Sequence, residues 1–416
     1  MLMKYRKYRK PTLKRNLLIF IVIAAISGYG YFALTTPLPD LKPSPSHYLP
    51  NIQTTAALTW PTSGESAAGV FGTNILNSHG SQTPVPTAST AKLLTALSVL
   101  RIKPLVLGTQ GPLITLGPAD VAFYNKYVAE DGSVVPVTAG EQISEYNMLE
   151  TMMLPSANNM ADSLAAWAFG TLNAYDVYAN NYAQQLGLTK THIGSDASGF
   201  NPDTTSTATN LVVLGEAALK NPVLAQIVAQ KSATGIPIVG TVKNVNQLIG
   251  VDNIIGIKTG NSNQAGGVFI SASKTTIAGQ DVTIITALAK ANTLYDAMYN
   301  SIPLITSAQV NFADSTAVKS GTTVATYKLP WGGSVGVTSE NSVKTESWKG
   351  SPVKVSLNLH TISATSKAKQ MVGLVTAQKT PFSGTQVSSL LLKVSIPQPP
   401  FWWRLIHPKG IFVSKS

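Results

Sequence analysis

In Gly256-Ile257-Lys258-Thr259-Gly260-Asn261-Ser262-Asn263-Gln264-Ala265-Gly266-Gly267-Val268-Phe269-Ile270 a strand, a turn and a returning strand follow one another. Ile255 and Ile257 alternate with small or polar neighbours into Lys258, the period of a strand. A polar, glycine-rich turn follows, and Val268 to Ile270 supply the returning arm of a hairpin. Such a hairpin sets Lys258 on a sheet edge, where its charge can meet a carboxylate, while Gly260 lets another backbone approach closely. Taken alone, the stretch fits an ordinary hairpin with a solvated lysine equally well.

Working outward towards the N-terminus, Leu149-Glu150-Thr151-Met152-Met153-Leu154-Pro155-Ser156-Ala157-Asn158 reads as an apolar helix broken at Pro155, with a second helix following. Ser156 and Asn158 then sit on a short connection. Side chains two apart there can both enter a cleft, the serine relaying a proton and the asparagine holding an amide. A helix cap by either residue is the competing reading. Further back, Leu93, Leu97 and Leu100 recur at helical spacing, so a helix is expected to start near Ser89 in Ser89-Thr90-Ala91-Lys92. Residues three apart share a helix face, which brings the Lys92 amine to the Ser89 hydroxyl. A serine needs such a base, and lysine can act as one only when burial or a second cation lowers its pKa. The spacing is not rare, since Ser271/Lys274, Ser351/Lys354 and Ser366/Lys369 repeat it. What distinguishes Ser89 is the ordered set of S-x-x-K on a helix, S-x-N on a loop and K-T-G on a strand.

With these three motifs the chain resembles the penicillin-recognising serine enzymes, in particular the low-molecular-mass D-alanyl-D-alanine carboxypeptidases. Further stretches share the resemblance: Thr138-Ala139-Gly140-Glu141, Leu186-Gly187-Leu188-Thr189-Lys190-Thr191-His192 and Ser206-Thr207-Ala208. The resemblance implies an α+β, β-lactamase/transpeptidase-like domain with an antiparallel sheet flanked by helices, followed by a smaller all-β domain. It implies that Ser89 is the nucleophile, Lys92 its general base and Ser156 a proton relay. It further implies that Asn158 orients the substrate amide, and that Lys258 and Thr259 of the K-T-G run, with Gly260 and Ser262 beside them, take the terminal carboxylate. Backbone N-H groups of Ser89 and Asn261 would form the oxyanion hole. The implied reaction removes the terminal D-Ala of peptidoglycan stem pentapeptides without a cofactor or metal, and β-lactams would acylate the same serine. An endopeptidase acting on peptide crosslinks and a non-catalytic penicillin-binding scaffold remain as alternatives. A class A β-lactamase would need a glutamate between the second and third motifs, and none occurs from Thr151 to Gly215.

Composition agrees with this reading. The 416 residues are 44% hydrophobic, enough for two cores, and contain no cysteine for thiol chemistry or disulfides. The five histidines (His47, His79, His192, His360 and His407) are scattered without metal-ligand spacing. A net charge of +12 would suit nucleic acid, but seven cations lie within the first fifteen residues, so no nucleic-acid partner is expected. Directly after them, Leu17 to Leu34 carries no charge and is long enough to span a membrane, cations first, which predicts an exported remainder. A cleaved signal peptide is the competing reading. The expected organisation is a basic cytoplasmic tail at 1–15, a span at 16–35, a free Pro-rich spacer at 36–50, a catalytic domain at 51–302, a β-rich domain at 303–396 and a tail at 397–416. Within that tail, Phe401 to Ile406 could touch a membrane interface or pack on the β-rich domain.

Overall fold

The computed structural model describes residues 13–45, 56–277, 279–350, 353–378 and 384–407. The basic residues Lys4 to Lys10 lie outside them. Leu13–Thr35 is one 23-residue helix whose most apolar 18-residue window has a mean hydropathy of 2.2; at 1.5 Å per residue the helix is ~34 Å long, enough to cross a hydrocarbon core.

The fold is α+β. Five antiparallel strands stand in the order Ile254–Ser262, Gly266–Ile277, Gln280–Ala291, Glu65–Val70 and Leu76–His79, so the strand carrying Lys258 is an edge. Alternation along these strands serves two cores. Ile270, Ala287 and Ala67 join a large cluster shared with the helices Lys92–Ile102 and Ala208–Lys220. Their neighbours Phe269, Leu288 and Ala68 face the other side, against Met298, Leu304 and Ile305. Helices thus cover both faces, and further helices at Pro118–Ala129, Glu145–Met153, Asn158–Phe169 and Leu172–Gln185 extend the first of them.

A second sheet of six antiparallel strands follows, in the order Pro43–Pro45, Thr323–Lys328, Ser334–Ser339, Thr385–Leu392, Met371–Gln378 and Val355–Leu359. It has its own core around Val324, Tyr327, Val337, Val375 and Leu390.

The structure corrects the expected organisation in two places. The described part of the Pro-rich segment, residues 36–45, is not free: Leu41 is 2% exposed in the second core and bridges Ile362, while Pro43–Pro45 pairs with Ala325 to Tyr327. Proline, which lacks an N-H, is tolerated there because the strand is an outer one. Second, the boundary expected after Ile302 cuts into the Ser301–Gln309 helix, whose Leu304 and Ile305 belong to the first sheet. A further antiparallel pair, Phe312–Val318 and Val343–Trp348, lies within the stretch expected to be β-rich. Phe401–Ile406 is a short helix that meets the end of the apolar one. Arg404 Nη1 donates to the Leu34 carbonyl at 2.7 Å, and Tyr29 Oη donates to the Leu405 carbonyl at 2.6 Å.

Candidate active site

Ser89 lies in a 3-10 turn, Ala88–Ala91, that runs directly into the Lys92–Ile102 helix. The helix expected from Ser89 therefore starts as a tighter turn. Lys92 is wholly buried. Its Nζ donates to Ser89 Oγ at 2.7 Å, to Asn158 Oδ1 at 2.7 Å and to the Ser198 carbonyl at 3.2 Å. Every acceptor is neutral. Burial lowers the amine to about 7, against the opposing pull of Asp196 and Asp162. At neutral pH a large fraction is therefore free base, with its lone pair beside a hydroxyl.

The Ser271/Lys274 pair does not build this arrangement. Ser271 and Lys274 lie on one strand, where residues three apart face opposite sides. The Ser271 hydroxyl meets Thr286 and the Lys274 amine meets Asp281.

Ser156 occupies the connection between the Glu145–Met153 and Asn158–Phe169 helices, with a left-handed φ of 66°. It is not a helix cap, since Ala157 holds that position without a side-chain bond. Its hydroxyl accepts a hydrogen bond from Lys258 Nζ at 2.9 Å. Asn158 is fixed by its backbone N-H on the Ser133 carbonyl at 2.7 Å and by its bond to Lys92. Its Nδ2 lies against Gly132, where a Cβ would come within 2.8 Å.

Lys258 is not the solvated edge residue that its strand suggested; it is 2% exposed. The outer side of its strand is covered by the 88–91 turn, and Gly260 makes that possible. A Cβ at Gly260 would stand 2.8 Å from the Thr87 carbonyl and 3.2 Å from the amide nitrogens of Ser89 and Thr90. Burial, and then the Lys92 amine, hold Lys258 well below the usual lysine range. The two amines are coupled, so protonating one opposes protonating the other.

Ser89, Ser156, Asn158, Thr259, Gly260, Asn261 and Ser262 line one cleft of about 300 Å³, with Gly132, Ser133, Gly199 and Phe200 on its other wall. Lys92 and Lys258 lie beneath it. Ser262 Oγ accepts the Ala265 N-H at 3.0 Å, which shapes the hairpin turn. A more polar hollow of about 610 Å³, walled by Lys126, Glu130, Asn201, Asn263 and Gln264, shares Asp131, Phe200, Asn261 and Ser262 with it. Arg101 is elsewhere, bonded to Gln185 and stacked over Tyr182.

Sequence reasoning missed Asp162, Asp196, Tyr127 and Ser198, all buried behind Lys92. Asp162 carried a signal, since it falls one helical turn after Asn158 on the same face. Tyr127 and Asp196 come from distant segments and carried none.

A sequence model of the family described as D-alanyl-D-alanine carboxypeptidase matches residues 71–292. The chain is 34% identical over 193 residues to D-alanyl-D-alanine carboxypeptidase DacB2 of Mycobacterium tuberculosis, an alignment covering 45% of this chain and 62% of that protein. It is 29% identical over 230 residues to a D-alanyl-D-alanine carboxypeptidase of a Streptomyces species, covering 50% and 76%. Among solved structures, the same Streptomyces strain's DD-transpeptidase superposes with a TM-score of 0.53 at 24% identity, over 60% of this chain and 98% of that one. Penicillin binding protein 5 from Haemophilus influenzae superposes with a TM-score of 0.57 at 19% identity, over 82% of this chain and all of that one, so the likeness in fold extends beyond the first sheet.

Proposed function

The chain belongs to the D-alanyl-D-alanine carboxypeptidase family, and from that premise we propose that it removes the terminal D-Ala from peptidoglycan stem pentapeptides through an acyl-enzyme on Ser89. The observation that carries the reading is the Lys92 amine. It is buried among neutral acceptors, lowered to about 7 and 2.7 Å from Ser89 Oγ.

In the first half-reaction Lys92 Nζ takes the Ser89 proton as Oγ attacks the carbonyl of the penultimate D-Ala. The developing oxyanion is held by the backbone N-H groups of Ser89 and Asn261. Each such donor is typically worth ~3 kcal/mol of barrier. Ser156 hands a proton to the departing D-Ala nitrogen and is resupplied by Lys258 behind it, along a contact of 2.9 Å. Asn158 Oδ1 is committed to Lys92, which leaves its Nδ2 for a substrate carbonyl. The terminal carboxylate is taken by the hydroxyls of Thr259 and Ser262, with Lys258 contributing from beneath. A docked anion favours the protonated form of Lys258, so its charge is restored when substrate arrives. In the second half-reaction water enters the place of the D-Ala and gives its proton through Ser156 to the now neutral Lys258, while Lys92 returns the proton it took to Ser89 Oγ as the shortened peptide leaves.

β-Lactams enter the same path and stop in it. Among the described residues no glutamate lines the cleft, so a penicilloyl ester at Ser89 has no carboxylate to activate water against it. The 13–35 helix anchors the enzyme in the membrane, and residues 36 onward lie outside the cytoplasm, where the substrate is.

The reading is tested by incubating the detergent-solubilised chain with a stem pentapeptide and measuring free D-Ala. Release that disappears in Ser89→Ala is the expected result. Cleavage of a crosslinked dimer without release of D-Ala from the pentapeptide would overturn it in favour of an endopeptidase.

A further inference from the structure

Behind Lys92 lies a set of buried acids that the chemistry above does not use. Asp162 and Asp196 are 0% and 3% exposed, yet neither touches the amine. Asp162 accepts the Ala197 N-H at 2.9 Å on one oxygen and the Tyr127 hydroxyl at 2.7 Å on the other. Asp196 is wrapped by its own loop, accepting the N-H and hydroxyl of Ser198 and the N-H of Asn201, each at 2.7 Å. Both carboxylates therefore converge on one dipeptide, Ala197-Ser198. Its two carbonyls meet the Lys92 helix: that of Ser198 takes Lys92 Nζ at 3.2 Å, and that of Ala197 takes the Thr95 hydroxyl at 2.6 Å. The next residue, Gly199, lies so close to the 88–91 turn that any side chain there would collide with the Ala88 carbonyl.

We propose that Asp162 is a positioning residue that holds the Ala197-Ser198 carbonyls against the Lys92 helix and, by its charge beside the larger pull of Asp196, helps set the pH at which Lys92 becomes a base, with Tyr127 keeping that carboxylate ionised. The proposal rests on the reading of Lys92 as the base for Ser89. The charged and titratable groups around the amine come from every element packed on it. Asp162 comes from the 158–169 helix, Asp196 from the loop after the 172–185 helix, Lys258 from the edge strand, and Tyr127 and Lys126 from the 118–129 helix behind Asp162. The two acids raise Lys92 against burial, and Lys258 opposes its protonation. Asp162 is itself raised to about 6, by burial first, with the Tyr127 hydrogen bond working against that rise. It is thus ionised over the range in which Lys92 loses its proton. Removing the charge while keeping the shape should make Lys92 a base at lower pH.

The test is the rate of acylation by a fluorescent penicillin, followed from about pH 5 to 9.5 for the wild-type chain, Asp162→Asn and Tyr127→Phe. The wild-type rate falls as pH drops through about 7, where Lys92 takes up its proton. In Asp162→Asn this acidic limb moves down by roughly half a unit or more, a displacement that loss of one buried charge can supply. Tyr127→Phe moves it in the same direction by less, because Asp162 then ionises less readily. A limb that stays at the wild-type pH in both variants, whatever the maximal rate, overturns the proposal and leaves the reading of Ser89 and Lys92 intact. Should Asp162→Asn fail to fold, Tyr127→Phe carries the same decision. Failure of the wild-type chain to label at any pH would overturn the function from which the proposal starts.

Discussion

Ser156 combines two properties that a single substitution can separate. Its backbone is left-handed at φ 66°, a conformation that costs a non-glycine residue free energy, and its hydroxyl is the acceptor for a buried amine. Ser156→Gly relieves the first and removes the second. Thermal unfolding should show no loss of stability. D-Ala release should fall by roughly 10²- to 10⁴-fold, the usual worth of a positioned proton relay. Unchanged turnover would take Ser156 out of the mechanism. At this scale the Ser89-Lys92 pairing was legible, because i,i+3 spacing on a helix fixes which side chains meet. The state of Lys258 was not legible. An edge strand predicts solvent, and only the 88–91 turn, joined to it by no local sequence signal, turns that edge into an interior. The same limit hid Asp196 and Tyr127, whose contacts cross between distant segments.

Among the elements, the Ile254–Ser262 strand approaches the 88–91 turn closely. That approach depends on the missing Cβ of Gly260, which would lie inside the normal contact distance of the Thr87 carbonyl. In Gly260→Ala the neighbour is backbone and cannot swing aside, so the strand must move away from Ser89. Acylation by penicillin should slow by about tenfold or more, since small displacements at a reacting centre cost rates of that order. The folded state should persist, because the strand is an edge and its other side stays paired to Gly266–Ile277. Wild-type acylation rates in this variant would contradict the role given to that contact. The K-T-G hairpin and its return strand were readable from period-two alternation. In the Phe312–Val318 and Val343–Trp348 pair, Trp348 is buried against Phe312 and the edge of the first sheet's core, a long-range contact that local alternation does not announce.

Across the whole molecule, the segment after the apolar helix joins two bodies that the sequence presented as separate. Proline content spoke for an extended chain. It could not reveal that Leu41 finds a core and that Pro43–Pro45 completes a sheet. A fragment starting at residue 37 should therefore unfold at a higher temperature than one starting at 46. Burial of a leucine is worth about 2 kcal/mol, and the strand would cover the outer edge of Thr323–Lys328. Equal melting temperatures would mean that the segment contributes nothing to the second body. The proposed mechanism turns on one covalent event, the acylation of Ser89. Its most direct measurement is the intact mass of the chain after exposure to a penicillin, with the adduct located by peptide mapping. One persistent adduct per chain, on Ser89 and absent from Ser89→Ala, is the predicted result; no adduct, or the same adduct in Ser89→Ala, would contradict it.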